Sequence, residues 1–291
     1  MQHLQILLLA IGFLLSGNTG SLAAQNGPHG SDWTAPAWVG DVTFLGANAL
    51  TSGLSAGILQ RLRGGSFKDG LARGAIGGSV KYAGMRISAK RFDGAGLLGR
   101  QVAATGTSMV RNASDARPTF DRLLFPLGPL HLYVQLSDGI AVRPKIDLTA
   151  FVTLISAAVQ TELSWDAGAS FSAGAPVFRA TDRYLISGGR AVDGFMGSGS
   201  IFLSHLPSAD FLAHVFAHER VHVLQSDWLF QVWSDPAESW ILNRIPGGST
   251  FYRYFDFNML AKQSRTRFYQ TFRVGYENRL HEIEAEFLGN R

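Results

Sequence analysis

The sequence predicts an α+β protein, built from a glycine-rich helical N-terminal half, antiparallel strands in the middle and a helical C-terminal part with a metal-binding motif. Three observations lead to this prediction. Glycines recur at four-residue spacing between about residues 47 and 91, apolar and polar residues alternate between 123 and 181, and two histidines stand four positions apart in the apolar segment 211–225. The first and third patterns are typical of helices, and the second is typical of strands.

Length and composition narrow the possible functions. The 291 residues can form one large domain or two. We expect residues 25–118 to form a glycine-rich basic helical region, and residues 119–291 to hold the sheet and the metal-site region. The net charge of +4 is too small to predict nucleic-acid binding. Because the chain has no cysteine, disulfides and thiolate metal sites are excluded, and a metal ion would be held by histidine and carboxylate.

The first 24 residues are typical of a secretory signal peptide. Residues 6–15 form an apolar run, which is shorter than the roughly 18 residues that a membrane span needs. Small residues near Ala23 and Ala24 offer a cleavage site. We therefore expect a periplasmic or secreted protein, with a retained N-terminal anchor as the alternative.

The glycine-rich half has a spacing that favours close helix packing. Gly70, Gly74 and Gly78 form two overlapping G-x-x-x-G steps, which leave one face of a helix without side chains. Two interpretations remain open: a tight helical hairpin with solvated basic residues, or a hairpin that lies on an anionic membrane surface through residues 59–92. An uninterrupted span of 18 apolar residues is absent here, which argues against a transmembrane helix. The basic residues of the segment, against Asp69 alone, are Arg61, Arg63, Lys68, Arg73, Lys81, Arg86, Lys90 and Arg91.

The middle of the chain alternates with a period of two, which predicts antiparallel strands. Residues 131–136 and 141–148 flank Ser137–Gly139, a sequence typical of a hairpin turn. Pro144 in the second of these strands indicates an edge or a bulge. One short helix is expected within 94–117, before this part. Further strands, with a turn at 166–168, are predicted at 151–155, 162–165, 183–186 and 200–204.

The sequence His218-Glu219-Arg220-Val221-His222 has the H-E-x-x-H pattern of zinc peptidases. On a helix, His218 and His222 lie one turn apart on the same face and can bind one metal ion. Glu219 lies beside that face, where a carboxylate can take a proton from water. Ser208 is expected to cap the helix, with Asp210 in its first turn. The alternative is a core helix whose histidines bond to backbone groups.

A third ligand is expected from the C-terminal segment. Residues 276–288 have a helical composition and contain Glu282, Glu284 and Glu286. A site without cysteine needs a carboxylate beside the two histidines, and both Glu282 and Glu284 are candidates. His214, one turn before His218, is expected in a supporting position. Tyr276 could donate to an oxyanion, although a structural role is the alternative.

Arg279 and the residues that follow it resemble a known signature. The run Arg279-Leu280-His281-Glu282-Ile283-Glu284-Ala285-Glu286 is similar to the R-x-x-E-x-x-A-D motif of the prenyl-protein (CAAX-type) and heat-shock membrane proteases, which are gluzincin zinc peptidases. The resemblance implies a zincin-like fold around the motifs. It also implies that Glu282 binds the metal, that Glu286 replaces an aspartate that orients a ligand histidine, and that Arg279 is a site arginine. It covers about 20 residues, and the membrane spans of that family are not predicted here.

These patterns together lead us to expect a zinc-dependent metallopeptidase-like hydrolase of the cell envelope that acts on peptides or proteins. Glu219 would act as general base, and the strand at 200–204 would offer its edge to an extended peptide. The alternative is a non-catalytic envelope or membrane-surface protein with a structural or vestigial metal site.

Overall fold

The computed structural model describes residues 36–256 and 280–289, apart from residues 138, 161, 182–184, 188–189, 198 and 206–207. The predicted α+β class is confirmed. Three long helices come first, and two small sheets and a second group of helices follow. The first helices are α1 (Ala37–Leu62), α2 (Phe67–Ser88) and α3 (Ala95–Ser114), so the short helix expected within 94–117 runs for 20 residues.

The glycines of α2 bring its backbone against that of α1. A Cβ atom on Gly70 would lie 2.8 Å from the carbonyl oxygen of Ala56, and one on Gly74 would lie 2.7 Å from the carbonyl oxygen of Ser52. Real Cβ atoms do not approach a backbone oxygen so closely, since interiors are already packed at high density. The four-residue glycine spacing is therefore what allows the two helices to touch.

The basic residues of this hairpin are not all solvated. Lys81 is 6% exposed and donates to Oδ1 of Asn48 at 2.7 Å, so the prediction that it lies outside the hairpin was wrong. A lysine can be buried in this way when a hydrogen bond and a nearby charge compensate for its lost hydration. Arg61, Lys68 and Lys90 are exposed, as expected.

One described helix is long and apolar enough to cross a membrane. The segment Trp38–Leu62 has a mean hydropathy of 1.4 in its most apolar window, and 39% of that window is buried. The sequence analysis did not predict a transmembrane helix here, because small polar residues interrupt the apolar run.

The first sheet has its strands in the spatial order β1 (Arg122–Leu127), β2 (Leu130–Gln135), β3 (Ala141–Asp147) and β10 (Phe255–Asp256). Its first three strands form an antiparallel meander, in which the predicted hairpin around Ser137–Gly139 joins β2 to β3. The last strand returns from the C-terminal part and pairs in parallel with Ile146 and Asp147 only, which leaves the β3 edge beside Pro144 without a described partner.

The second sheet has its strands in the spatial order β4 (Leu163–Trp165), β5 (Val177–Ala180), β9 (Ser200–Leu203) and β8 (Gly194–Gly197). The pair β5–β9 is parallel, and the other pairs are antiparallel. Ahead of β8, the short strands β6 (Leu185–Ser187) and β7 (Arg190–Val192) form a separate antiparallel pair.

Two segments differ from their predictions. Residues 151–155 were expected to form a strand but lie within α4 (Leu148–Ala158), which begins where Oδ1 of Asp147 accepts the amide hydrogen of Ala150. Residues 166–168 were expected to form a turn, but Asp166 caps α5 (Ala167–Ala173) in the same way. In both segments an aspartate cap starts a helix.

The remaining helices carry the site residues. They are α6 (Ala209–Leu229), a π-helical turn (Phe230–Ser234), α7 (Asp235–Leu242), α8 (Gly248–Tyr252) and α9 (Leu280–Gly289). The largest hydrophobic cluster takes side chains from both halves of the chain, including Phe44 and Met85 from the glycine-rich helices, Leu203 from β9 and Phe287 from α9. The glycine-rich half therefore packs directly against the elements of the site.

Candidate metal centre

The metal-motif helix begins as the sequence predicts. Oγ of Ser208 accepts the amide hydrogen of Phe211 at 3.2 Å, and Asp210 lies in the first turn. A side-chain cap of this kind satisfies an amide that has no partner inside the helix, and a carboxylate there is favourable near the helix N-terminus. The helix then runs through His218, Glu219 and His222, and its second half is largely buried.

His218, His222 and Glu282 form a compact group that could hold a metal ion. One candidate ligand atom from each residue lies within 4.8 Å of the others. Nε2 of His222 is 2.9 Å from Nε2 of His218 and 2.9 Å from Oε2 of Glu282, and the His218–Glu282 distance is 3.5 Å. Three donors that converge in this way could serve as ligands of one metal ion.

Close packing at two glycines brings α9 to this position. Gly289 lies against the backbone of His218, where an added Cβ would be 3.2 Å from its amide nitrogen. At the other side, the Phe287 ring occupies the space in which a Gly40 side chain would lie, and it packs on Phe44 with ring centroids 5.1 Å apart. The helix is thus wedged between α1 and α6, and its first turn presents Glu282 to the histidines.

The three C-terminal glutamates have different partners. Glu286 lies with Oε2 3.4 Å from Nδ1 of His218 and with Oε1 3.6 Å from Nε2 of His214. Glu284 points away from the histidine pair and accepts hydrogen bonds from Gln225 and Asn48. Of the two carboxylates considered as third ligand, Glu282 is therefore the one that contacts both histidines.

Glu219 is buried next to the same group. The backbone N–H of Met196, in β8, donates to its carboxylate, while Oε2 is buried without a hydrogen-bond partner among the described residues. Burial raises the pKa of Glu219, and the nearby His222 and His218 oppose that shift. A buried oxygen without a partner is unusual in proteins, and it indicates that this carboxylate faces a group such as water or an ion.

The charges of the group depend on one another. Burial lowers the pKa of His218, but hydrogen bonds to Glu282 and Glu286 and the charge of Glu219 outweigh burial and raise it to about 10. Burial would raise the pKa of Glu282, yet its hydrogen bonds with His218, His222 and His281 hold it well below its usual range. The pocket therefore favours positive charge between its carboxylates, either as protons or as a cation.

Other predicted features fall elsewhere. Arg279 and Tyr276 lie outside the described residues. The strand at 200–204 was expected to offer a free edge, but β9 is paired on both sides, so this expectation was wrong. Within the described part of the chain, β8 is the edge strand, and the Met196 amide places it beside Glu219.

Several residues of the site were missed by sequence reasoning. Nε2 of His281 lies 3.0 Å from Oε1 of Glu282, and Oε1 of Gln225 lies 2.8 Å from Nδ1 of His222. Gln225 could have been found, because it lies one helical turn after His222. Asn48 and Lys81 reach the site only through the tertiary packing of α1 and α2, and no local pattern indicates them.

Comparison with known proteins gives no relative: no family model, no curated protein and no solved structure matches the chain. The class is therefore defined by the fold and the site alone, as an α+β protein with a two-histidine, one-carboxylate group that could hold a metal ion.

Proposed function

We propose that this chain is a zinc-dependent metallopeptidase-like hydrolase, similar in its site to the gluzincins. One observation supports the proposal most directly. His218, His222 and Glu282 converge, and the buried carboxylate of Glu219, with an oxygen that lacks a described partner, follows the first histidine on the same helix. Two imidazoles and one carboxylate are a donor set of catalytic zinc sites, which keep a further position open.

Each residue of the site has its own role in the proposed reaction. A zinc ion held by His218, His222 and Glu282 would polarise a carbonyl group and lower the pKa of water to about 7. Oε2 of Glu219 takes the proton of the attacking water, and the carboxyl group then returns it to the leaving amine. The raised pKa of Glu219 favours both transfers near neutral pH, because it brings the base closer to the pH at which it works.

A peptide or protein is the substrate class that the neighbouring strand supports. An extended peptide can pair with the edge strand β8, where it would replace Glu219 as the partner of the Met196 amide and so lie beside that carboxylate. We propose a periplasmic or secreted location because the sequence of residues 1–24, which lie outside the described part, is typical of a signal peptide.

Metal content tests the proposal. Elemental mass spectrometry of the purified protein should find about one zinc per chain, and His222→Ala and Glu282→Ala should both lose it. His205→Ala is the matched control, because His205 is an exposed histidine just before α6, and it should keep the zinc. No zinc in the unsubstituted chain after growth with added metal would contradict the proposal. Zinc without any peptide hydrolysis would point to a structural or vestigial site.

A second candidate function, attachment to an anionic membrane surface, is favoured by the outer face of the helical hairpin. Trp38, Val42, Leu50 and Leu62 of α1 are 67%, 60%, 56% and 65% exposed. Residues 37–60 carry a single charge, that of Asp41, which is paired with Arg86. A soluble helix normally shows charged residues on its outer face, so a face of this kind suits contact with lipid.

Exposed basic residues at the turn between α1 and α2, among them Arg61 and Lys68, would lie at the level of anionic headgroups. Flotation with vesicles tests this attachment. Vesicles with anionic lipid should carry the protein, neutral vesicles should carry less, and Leu50→Glu should stay at the bottom of the gradient. Ile155→Glu, a similarly exposed position on α4, should float normally. Equal flotation of the two variants would contradict the assignment of α1 as the contact face.

A further inference from the structure

A chain of buried hydrogen bonds connects the glycine-rich helices to a ligand histidine. Nζ of Lys81 donates to Oδ1 of Asn48 at 2.7 Å, and Nδ2 of Asn48 donates to Oε1 of Glu284 at 2.5 Å. Nε2 of Gln225 donates to Oε2 of Glu284 at 2.9 Å, and Oε1 of Gln225 lies 2.8 Å from Nδ1 of His222. All five side chains are 6% or 7% exposed.

The direction of every bond in this chain is determined. A lysine only donates and an ionised carboxylate only accepts, so Lys81 and Glu284 fix the amide of Asn48 between them. Glu284 and the backbone carbonyl of His281 are both acceptors, and the carbonyl oxygen lies 3.1 Å from Nε2 of Gln225. The amide group of Gln225 must therefore turn its NH₂ toward them. Its oxygen is thereby left to face Nδ1 of His222.

We infer that Glu284 is a positioning residue that fixes the tautomer of His222 through Gln225. The oxygen of Gln225 accepts a proton from Nδ1, so the proton of the neutral ring is held there and the lone pair is on Nε2. That atom faces His218 and Glu282. Partners that orient a ligand histidine in this way strengthen metal binding. The inference rests on the proposed metal site, and it gives the glycine-rich half a part in the site.

The burial of Glu284 explains why α1 and α2 take part in this hydrogen-bond chain. A buried carboxylate without a compensating charge is costly, and the charge of Lys81 is available through Asn48. The close packing at Gly74, against the carbonyl of Ser52, holds α2 near enough to α1 for that contact. The Lys81 ammonium group also lies 4.9 Å from the centre of the Trp228 ring on α6, so the same lysine contacts the helix that carries the histidines.

Glu284→Gln tests the inference with little change in shape. Because Asn48 still donates to residue 284, the NH₂ group of the new glutamine would face Gln225 and oppose its present orientation, which the carbonyl of His281 alone would then favour. In the molecules whose Gln225 amide turns over, Gln225 donates to Nδ1 and Nε2 carries the proton. Zinc affinity, measured by chelator competition, should fall about 10- to 100-fold, the usual effect of losing such a partner. The double variant Gln225→Glu with Glu284→Gln restores an acceptor beside Nδ1 and should recover part of the affinity.

Asp256→Asn is the matched control, since Asp256 is also a buried carboxylate beside a lysine, Lys145, but lies in the first sheet. It should leave zinc affinity unchanged. Glu284→Gln with unchanged affinity would overturn the inference, whereas an unsubstituted chain that takes up no zinc would overturn the proposed function. If Glu284→Gln does not fold, long-range ¹⁵N–¹H spectra of the zinc-loaded unsubstituted chain decide: a proton on Nδ1 of His222 supports the inference, and zinc on that atom overturns it.

Discussion

Arg100 of α3 and Asp227 of α6 form a two-point ion pair, with Nε 2.8 Å from Oδ2 and Nη2 3.1 Å from Oδ1. Arg100 is only 1% exposed, and it also donates to the carbonyl of Gly174. The pair therefore joins the glycine-rich half to the metal-motif helix, with the guanidinium group buried and the Asp227 side chain 16% exposed.

Asp227→Asn should destabilise the protein strongly, because it leaves the Arg100 charge buried without its counterion. Breaking such a buried pair costs about 3–5 kcal/mol. The free energy of unfolding in urea measures the loss. Asp69→Asn, which breaks the exposed Arg73 pair within α2, should cost much less. A loss at Asp227 no larger than that at Asp69 would show that the buried pair is not needed for stability.

Gly74→Ala and Gly46→Ala should have opposite effects. A Cβ added at Gly74 would lie 2.7 Å from the Ser52 carbonyl oxygen, whereas one added at Gly46 would meet nothing within 4 Å. We expect overpacking at the first position to cost about 1–3 kcal/mol. At the second position we expect a gain of up to about 1 kcal/mol, since alanine is the better helix former. Thermal unfolding of both variants measures the difference, and two losses of similar size would contradict the packing argument.

Zinc affinity should rise with pH. In the metal-free protein the pKa of His218 is about 10, because Glu282, Glu286 and Glu219 outweigh the effect of burial. Zinc binds neutral imidazole, so below pH 10 its uptake displaces a proton. The apparent association constant should increase about tenfold per pH unit between about pH 6 and 9 and level off near pH 10. Glu286→Gln removes one of the interactions that raise this pKa, so its curve should level off at lower pH. An affinity that does not change with pH would exclude proton displacement.

Glu219→Gln should separate chemistry from metal binding. The amide keeps the shape of the side chain but cannot take a proton, so hydrolysis of a labelled unfolded protein should fall roughly 10²- to 10⁴-fold. Zinc content should stay at the level of the unsubstituted chain, because Glu219 is outside the ligand group. Asp210→Asn, in the exposed first turn of α6, is the control for a carboxylate change on the same helix. A Glu219→Gln protein that hydrolyses normally would remove this residue from the mechanism.

The sequence predicts those parts of the site that depend on local signals. The cap at Ser208 and the four-residue spacing of His218 and His222 are properties of one helix, and both can be read without knowing the fold. Glu282 was recognised by donor chemistry and by its motif. That motif implied Glu282 rather than Glu284, and the structure adds the reason, since packing turns Glu282 to the histidines of α6 and Glu284 to Gln225 and Asn48.

Tertiary context decided the parts that the sequence did not predict. Residues 151–155 contain valine and isoleucine, which favour strands, but the segment is capped as a helix and packs over Phe178 and Phe202 of the second sheet. The burial of Lys81 depends on Asn48, which is 33 positions away in the sequence. The covered edge of β9 depends on β8, a short strand with two glycines whose composition gives little strand signal.

The wedged position of α9 also sets the order in which the site is completed during protein synthesis. Ribosomes make α9 after every other described element, so a nascent chain carries His218, Glu219 and His222 well before it carries Glu282. Glu282 lies on the same helix as Phe287, whose ring packs beside Gly40 near the start of the described chain. The two histidines and the carboxylate that could hold a metal ion can therefore come together only after the whole described chain has been synthesised.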